Sequence, residues 1–134
     1  MDVKELALTA IKAMDNAYAP YSGYRVGAAL LTADGRVYTG CNIENSAYSP
    51  TICAERTAIV KAVSEGDRDF TMLAVVGGKD GVIEGVFPPC GVCRQVLSEF
   101  CSPLMPIALV KDSFGNYDIH TLGELLPLAF NIEE

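Results

Sequence analysis

The chain has 134 residues, of which half are hydrophobic and 20% are charged, the balance of a globular domain with a real core. No apolar run reaches the ~18 residues of a membrane-spanning helix, and the first residues lack a signal-peptide pattern, so we expect a cytoplasmic protein with no membrane partner. The net charge of −7 and the ten scattered Lys and Arg residues argue against a nucleic-acid partner, because such proteins neutralise phosphates with a basic surface.

The first half of the chain has the patterns of one helix, one hairpin and one long loop. Apolar residues recur every four positions from Leu6 to Tyr18, as on the buried face of a helix. The run that begins at Arg25 is almost wholly apolar, as in a strand covered on both faces, and Asp34-Gly35 is typical of a hairpin turn. The predicted elements are a helix at 3–18, strands at 25–31 and 36–40, and a loop at 41–52.

The second half of the chain alternates helices with strands. Thr121 and Glu124 form a capping-box pair that opens a short last helix. The predicted elements are a helix at 54–64, a strand at 71–77, a turn-rich connection at 78–89, a helix at 91–100, strands at 107–111 and 117–119, and the last helix. This alternation predicts an α/β fold with three layers (α/β/α), in which one mixed central sheet of about five strands has helices on both faces. We expect a single domain over residues 1–134.

Three cysteines in two short segments carry the strongest chemical signal. Cys90 and Cys93 share one face of a predicted helix start, and Cys53 stands at the start of the preceding helix. The positive end of a helix dipole favours a thiolate at each place. Three thiolates that leave a fourth position for water are typical of a catalytic zinc site, and Glu55 is placed to move protons of that water. We therefore predict one Zn²⁺ per chain with Glu55 as the catalytic residue.

Three thiolates would leave a zinc site with excess negative charge. That charge would weaken the metal as a Lewis acid and make its water harder to ionise. Arg56 follows Cys53 by three positions and is expected on the same side of the helix. Because its guanidinium can donate hydrogen bonds to sulfur, we predict that Arg56 compensates the charge of the site.

Other interpretations of the cysteines stay open from sequence. A Cys-x-x-Cys pair also occurs in redox proteins, although the third cysteine beside an acid disfavours that interpretation. A closed structural zinc site would need a fourth thiol. Cys101 is roughly 12 Å beyond Cys93 along one helix and too far away, whereas spacing does not exclude Cys41. His120 is interpreted as structural or exposed, and a zinc-stabilised binding protein without turnover is the alternative from a different class.

Further segments accompany the cysteine motif over nearly the whole chain. Cys53-Ala54-Glu55 followed by Pro89-Cys90-Gly91-Val92-Cys93 is the all-cysteine form of the motif found in zinc nucleobase deaminases. The other matching segments are Ala-Pro-Tyr-Ser at 19–22, Val-Gly-Ala at 26–28, Asn-Ile-Glu-Asn at 42–45 and Arg-Gln at 94–95. On these residues the chain resembles the small homotetrameric zinc-dependent cytidine deaminases.

The resemblance implies an activity and an assembly. The reaction would be the hydrolytic deamination of cytidine and 2′-deoxycytidine to uridine and 2′-deoxyuridine plus ammonia, in pyrimidine salvage. Zinc would be bound by Cys53, Cys90 and Cys93. Glu55 would carry a proton from the attacking water to N3 of the cytosine ring and then help ammonia leave. The protein would be a homotetramer whose subunits share active sites, with a small nucleoside as its partner.

The resemblance also implies a set of substrate-binding residues. Asn42 and Glu44 would hold the ribose through its 3′-hydroxyl, since an amide and a carboxylate together can donate to and accept from a hydroxyl. Ala54 would also contact the substrate. A related deaminase of nucleoside antibiotics such as blasticidin S shares the cysteines and the glutamate but not the 42–45 loop, so that loop favours cytidine.

Aromatic residues complete the implied site. Tyr24 stands near the base, where relatives often have phenylalanine, and Arg25 stands where many relatives have proline. Phe130 would reach into a neighbouring subunit's pocket and stack on the pyrimidine, and Tyr48 would approach a subunit boundary. Tyr24 and Arg25 depart from the family pattern, so the resemblance does not fix the nucleoside selectivity that they influence.

Overall fold

One five-stranded sheet organises the computed structural model of the protein, which describes residues 1–132. Its elements are α1 (Val3–Ala13), a 3₁₀ turn (Met14–Asn16), β1 (Tyr24–Thr32), β2 (Val37–Cys41), α2 (Ala54–Ser64), β3 (Phe70–Lys79), α3 (Gly91–Phe100), β4 (Pro106–Val110), β5 (Tyr117–Thr121) and α4 (Leu122–Leu125). The strand order is β2-β1-β3-β4-β5, in which β3 and β4 pair parallel and the other neighbours pair antiparallel. The predicted mixed sheet of about five strands is confirmed.

Helices cover both faces of this sheet. Successive residues of a strand point to opposite faces, so the continuous apolar runs of β1, β3 and β4 supply two cores. The core under α1 contains Leu6, Ala7, Ala10, Met14, Ala29, Ala74, Val76, Ala108 and Val110. The core under α2 and α3 includes Ala28, Leu30, Ala58, Ile59, Leu73, Val75, Leu97, Ile107 and Leu109. The three-layer arrangement is therefore confirmed, and within residues 1–132 no helix is long and apolar enough to cross a membrane.

The first helix is shorter than its apolar spacing predicts. It ends at Ala13 and continues only as a 3₁₀ turn, so the prediction of a helix through residue 18 is wrong. Tyr18 instead has extended backbone, pairs with Ile43 in a short β bridge, and is 55% exposed. The Tyr18 N–H donates to the Asn42 carbonyl at 2.9 Å, so pairing with the loop at 41–52 replaces the last helical turn.

A glycine in β2 sets how closely α2 approaches the sheet. A Cβ atom on Gly40 would lie 2.3 Å from the carbonyl oxygen of Ala54 and 2.6 Å from the nitrogen of Ala58. Because both atoms belong to helix backbone, no side-chain rearrangement can make room for a methyl group. Gly40 therefore fixes the first turn of α2, in which Glu55 lies and which Cys53 begins.

Replacing Gly40 by alanine is expected to lower the free energy of unfolding by about 3 kcal/mol, at the upper end of overpacking costs, because α2 must move away from β2. The urea midpoint at a fixed protein concentration measures this change. Gly91→Ala is the matched control, since a Cβ there meets no atom within 4 Å, and it should shift the free energy by less than about 1 kcal/mol. Equal stability of Gly40→Ala and the native protein would refute the close-approach argument.

Candidate active site

The fold brings the three predicted thiols together. Cys53 is the N-cap of α2, Cys90 is the N-cap of α3, and Cys93 lies in the first turn of α3. The sulfur of Cys90 lies 3.7 Å from that of Cys53 and 3.5 Å from that of Cys93. All three sulfurs lie within 4.8 Å of one another. Two helix N-termini therefore point at one cluster, as the sequence predicts.

The spacing of the sulfurs fits a zinc ion. Tetrahedral zinc with Zn–S bonds of about 2.3 Å places its sulfur ligands about 3.8 Å apart. The observed separations of 3.5 and 3.7 Å are close to that value. Over residues 1–132, no further His, Cys, Asp or Glu side chain joins the cluster. The alternative of a fourth ligand from Cys41 is therefore wrong, and the donor set is that of an open, catalytic type of zinc site.

The remaining cysteines and the histidine lie apart from this cluster. Cys101 is buried in the core under α3, and its burial raises the pKa of that thiol to about 12, so it stays protonated. Burial also raises the pKa of the Cys41 thiol above its ordinary value. The Nδ1 atom of His120 lies 3.8 Å from the carboxylate of Glu124 at the start of α4. His120 is therefore a surface residue of the last helix cap.

The thiols and Arg56 form a charge-balanced group. The pKa of Cys53 is lowered to about 5, mainly by a hydrogen bond with Cys93. Burial acts in the opposite direction, and contacts with Arg56 and Cys90 lower the pKa further. The same contact with Cys53 raises the pKa of Cys93, which keeps its proton. Arg56 Nη2 lies 3.5 Å from the Cys53 sulfur, which stabilises the thiolate. A metal that binds thiolates takes the place of the remaining protons, so the cluster suits a divalent cation.

Glu55 presents a buried carboxyl beside the thiols. Its side chain is 3% exposed, and its burial raises the pKa of the carboxyl to about 7. Among the residues that the structure describes, Glu55 Oε1 has no hydrogen-bond partner, although the atom is inaccessible to solvent. An unpaired carboxyl oxygen with a pKa near neutrality can accept and release a proton at physiological pH, which is the property of a general acid and base.

A small cavity connects Glu55 with the loop at 41–52. Its volume is about 220 Å³, below the ~300–1,000 Å³ of pockets for drug-sized ligands, so it suits a small substrate. The residues that line it are Ser22, Tyr24, Val26, Asn42, Glu44, Thr51, Ile52, Cys53, Glu55, Phe87, Pro88 and Cys90. The cavity therefore gathers two of the thiols, the buried carboxyl and the two polar residues that the sequence assigns to sugar binding.

Asn42 is both a lining residue and a clamp on the sheet. Its Oδ1 atom accepts the N–H of Val26 at 2.9 Å, and its Nδ2 group donates to the carbonyl of Tyr24 at 2.7 Å. An amide has two N–H groups and two acceptor lone pairs, so one N–H and one lone pair remain for a ligand. Asn42 therefore holds the start of β1 against the loop while it keeps hydrogen-bonding capacity for the cavity.

Glu44 is ionised and tightly held. Its Oε1 atom accepts the N–H groups of Tyr21 and Ser22 at 2.9 and 3.1 Å, and its Oε2 atom accepts the hydroxyl of Ser22. The hydrogen bond from the Ser22 side chain is the main cause that lowers the pKa of Glu44, with smaller help from the two backbone groups. Glu44 is therefore a hydrogen-bond acceptor in the wall of the cavity at neutral pH.

Two aromatic rings flank the cavity. Tyr24 lines it, and its ring centroid lies 6.0 Å from that of Phe87. Lys79 Nζ lies 5.2 Å from the Tyr24 centroid, at cation–π distance. The sequence interpretation placed Tyr24 near the base but missed Phe87, whose position three residues before Cys90 is the only sequence signal for it.

Two predicted binding residues do not line the cavity in this chain. The side chain of Ala54 is fully buried in the core under α2 and does not line the cavity, so its contact with a substrate stays a prediction. Phe130 is 71% exposed, and its carbonyl accepts a hydrogen bond from the Gln95 amide at 3.2 Å. It lines a separate cavity of about 390 Å³ together with Leu122, at the C-terminal end of the described chain.

Arg25 and Tyr48 also lie outside the cavity. Arg25 Nη2 donates to the carbonyl of Asp15 at 2.6 Å, which ties β1 to the turn after α1. Tyr48 is exposed and has a positive φ of 61°, an uncommon conformation for a tyrosine. Neither side chain contacts the thiol cluster.

Known proteins are similar to this chain in sequence and in fold. Residues 1–108 match a family model described as the cytidine and deoxycytidylate deaminase zinc-binding region. The chain is 52% identical over 134 residues to the cytidine deaminase of Sporosarcina psychrophila, covering 100% of this chain and 95% of that protein. It is 47% identical over 134 residues to the cytidine deaminase of Halalkalibacterium halodurans, covering 100% of this chain and 98% of that protein.

A solved structure has the same fold. The crystal structure of cytidine deaminase from Burkholderia pseudomallei superposes with a TM-score of 0.88 at 43% identity, covering 97% of this chain and 100% of that chain. The region matched by the family model contains Glu55, the three thiols and every residue that lines the small cavity. The match to the family model therefore spans the site as well as most of the scaffold.

Proposed function

Because the chain belongs to the cytidine and deoxycytidylate deaminase family, we propose that it converts cytidine and 2′-deoxycytidine to uridine and 2′-deoxyuridine, with release of ammonia. The observation that carries this proposal is the buried carboxyl of Glu55, whose Oε1 atom has no hydrogen-bond partner within residues 1–132, beside three sulfurs at the spacing of zinc ligands. The small cavity that begins at this group has room for a nucleoside-sized molecule and little more.

One zinc ion per chain is the cofactor, and Cys53, Cys90 and Cys93 are the residues that hold it. When bound, zinc supplies a Lewis acid that makes water a good nucleophile near neutral pH. Arg56 stabilises the thiolates through its contact with the Cys53 sulfur. The N-termini of α2 and α3 add favourable partial charges, so the protein offsets the negative charge of its own ligand set.

Glu55 manages the protons of the reaction. Its carboxylate accepts a proton from the attacking water and delivers it to N3 of the cytosine ring while the water oxygen bonds to C4. The remaining proton goes to the amino group, the bond from C4 to nitrogen breaks, and ammonia leaves as the carbonyl of uridine forms. Burial suits Glu55 to both directions of transfer, because it raises the pKa of the carboxyl to about 7.

The other lining residues hold the nucleoside. Glu44 and the free N–H of Asn42 face the sugar, and the Glu44 carboxylate accepts from the 3′-hydroxyl. Tyr24 and Phe87 provide apolar surface beside the base, and the backbone N–H of Ala54 is available at the first turn of α2. A phosphorylated or polymeric substrate is disfavoured by the net charge of −7.

We place the protein in the cytoplasm as a homotetramer of one-domain subunits, with no nucleic-acid or membrane partner. Exposed apolar side chains near the C-terminus support an assembly, since surface apolar clusters mark interaction sites. They are Leu128, Phe130 and Ile132. Because Phe130 does not line the cavity of its own chain, we propose that it completes the site of a neighbouring subunit by stacking on the pyrimidine.

Phe130→Ala is expected to lower kcat/KM for cytidine by about 10- to 100-fold, the usual worth of one stacked base. If Phe130 acts in a neighbouring subunit, dissociating and reassembling this variant together with Glu55→Gln should restore turnover above the mean of the two proteins. Each mixed assembly then contains sites with both native residues. Ile132→Ala, exposed in the same segment, is the control and should stay near native. Mixtures with no gain would contradict sharing of sites.

The proposed reaction is tested by incubating the purified protein with cytidine, 2′-deoxycytidine and blasticidin S and identifying the products chromatographically. We expect uridine and 2′-deoxyuridine to form, and blasticidin S to be unchanged. Deamination of blasticidin S alone would favour the antibiotic-deaminase alternative. A protein with bound zinc that converts none of the three would favour the scaffold alternative and overturn the proposal.

A further inference from the structure

We propose that Ser22 is a positioning residue for substrate selection: it fixes the Glu44 carboxylate in the one orientation that accepts from the 3′-hydroxyl of the sugar. The inference deepens the proposed function and rests on it. It assigns a role to a residue of the 19–22 segment that the proposed reaction leaves without one. The chemical class that Ser22 selects is a nucleoside with a free 3′-hydroxyl.

The first support is the set of hydrogen bonds on Glu44. All three donors come from one turn: the N–H groups of Tyr21 and Ser22 bind Oε1, and the Ser22 hydroxyl binds Oε2. A carboxylate offers about four acceptor positions, so about one is left for a ligand. Since both oxygens are engaged, the carboxylate cannot rotate without breaking a bond. Within residues 1–132, Ser22 is the residue that donates to Oε2.

The second support is that neighbouring groups fix the direction of the Ser22 O–H bond. The N–H of Tyr24 donates to Ser22 Oγ at 3.0 Å, which uses one lone pair of the hydroxyl. A hydroxyl has a single proton, and here it is directed to Glu44. Ser22 is therefore always the donor and Glu44 the acceptor in this hydrogen bond. The bond also links Glu44, the proposed acceptor of the sugar hydroxyl, to Tyr24 at the start of β1.

The third support is that Lys79, the last residue of β3, holds the same turn in place. Lys79 Nζ donates to the carbonyl of Ser22 at 2.8 Å and lies 5.2 Å from the centroid of the Tyr24 ring. Gly23 has a φ of 76°, and a Cβ there would lie 3.1 Å from Lys79 Nζ. Lys79 thus anchors the backbone that presents Ser22, so the turn at 21–24 is a rigid support.

The fourth support is the space on the other side of Glu44. Ser22 and Glu44 line the small cavity and also a neighbouring cavity of about 270 Å³, which Tyr21, Asn45 and Tyr48 line as well. The Glu44 carboxylate therefore stands in a wall between two spaces, and a freely rotating side chain could turn toward either. Ser22 keeps it in the orientation shared with the thiol-containing cavity.

The test compares cytidine with 2′,3′-dideoxycytidine, which lacks the 2′- and 3′-hydroxyls, as substrates or competing inhibitors of the zinc-loaded protein. Ser22→Ala is expected to raise KM for cytidine by about 10-fold, the value of a hydrogen bond to a charged group, with kcat nearly unchanged. The KM or inhibition constant for dideoxycytidine should change by less than about twofold, because this nucleoside has no 3′-hydroxyl to donate to Glu44. Ser22→Thr should restore the native KM, and the exposed control Ser46→Ala should match the native protein.

A second comparison separates positioning from a general loss of structure. In a Glu44→Gln background, adding Ser22→Ala should raise KM for cytidine no further, because the two residues act as one unit. An equal rise for both nucleosides, or full additivity with Glu44→Gln, would overturn the role of Ser22 while native turnover left the proposed function standing. No cytidine turnover by the native protein would overturn both.

Discussion

Replacing Glu55 by glutamine is expected to lower kcat for cytidine by about 10³- to 10⁴-fold, the upper range of general acid and base catalysis. Glutamine has nearly the shape of glutamate but cannot accept the proton of the attacking water or deliver it to the ring. The buried position excludes bulk water as a substitute, since the side chain is 3% exposed. Zinc should remain bound at one ion per chain, because the amide leaves the three thiols in place.

Turnover and zinc content measured on the same sample check this expectation. Glu84→Gln is a matched control that removes an equal charge from an exposed position, and it should keep native kcat. A kcat of Glu55→Gln within about 10-fold of the native value would contradict the role of Glu55 in proton transfer. Loss of zinc from that variant would instead assign Glu55 a role in holding the metal.

Replacing Cys93 by alanine is expected to weaken zinc binding by far more than the 10- to 100-fold that loss of an outer-shell partner of a metal typically costs. Cys93 supplies one of three sulfurs and is fully buried, so no surface group can take its place. Deamination of cytidine should fall with the metal. A chromogenic chelator titrated against each protein measures the affinity directly.

Cys101→Ala is the matched control for that experiment, because its environment is similar to that of Cys93. Both cysteines are buried and both belong to α3 or its C-cap, but Cys101 stands at the end remote from the cluster. The control should keep one zinc ion per chain and native turnover. Full zinc affinity in Cys93→Ala, or equal loss in both variants, would contradict the assigned ligand set.

The sequence was sufficient to predict the scaffold and the three cysteines that the structure brings together. Strands with both faces buried are continuous apolar runs, which is why β1, β3 and β4 could be recognised from hydrophobicity alone. Cys90 and Cys93 could be paired because one helical turn brings residues three apart to one face. Only the folded chain could decide about Cys41, since that depends on how the loop after β2 returns to α2 and not on spacing.

Other features depend on contacts that no local pattern records. Tyr18 continues an apolar period of four, yet backbone pairing with the loop draws it out of the helix. Ala54 is part of the recognised motif, but its side chain faces the core because Glu55 is the residue of that turn that reaches the cavity. Ser22 meets Glu44 across 22 positions of sequence, and only the folded turn reveals that pair.

The most direct test of a zinc-dependent cytidine deaminase is a titration of zinc into metal-free protein while cytidine turnover is followed. We expect the rate to rise in proportion to bound zinc and to level off at one ion per chain, with equal amounts of uridine and ammonia formed. Full turnover by the metal-free protein, or none at one bound zinc per chain, would contradict the assignment of this site.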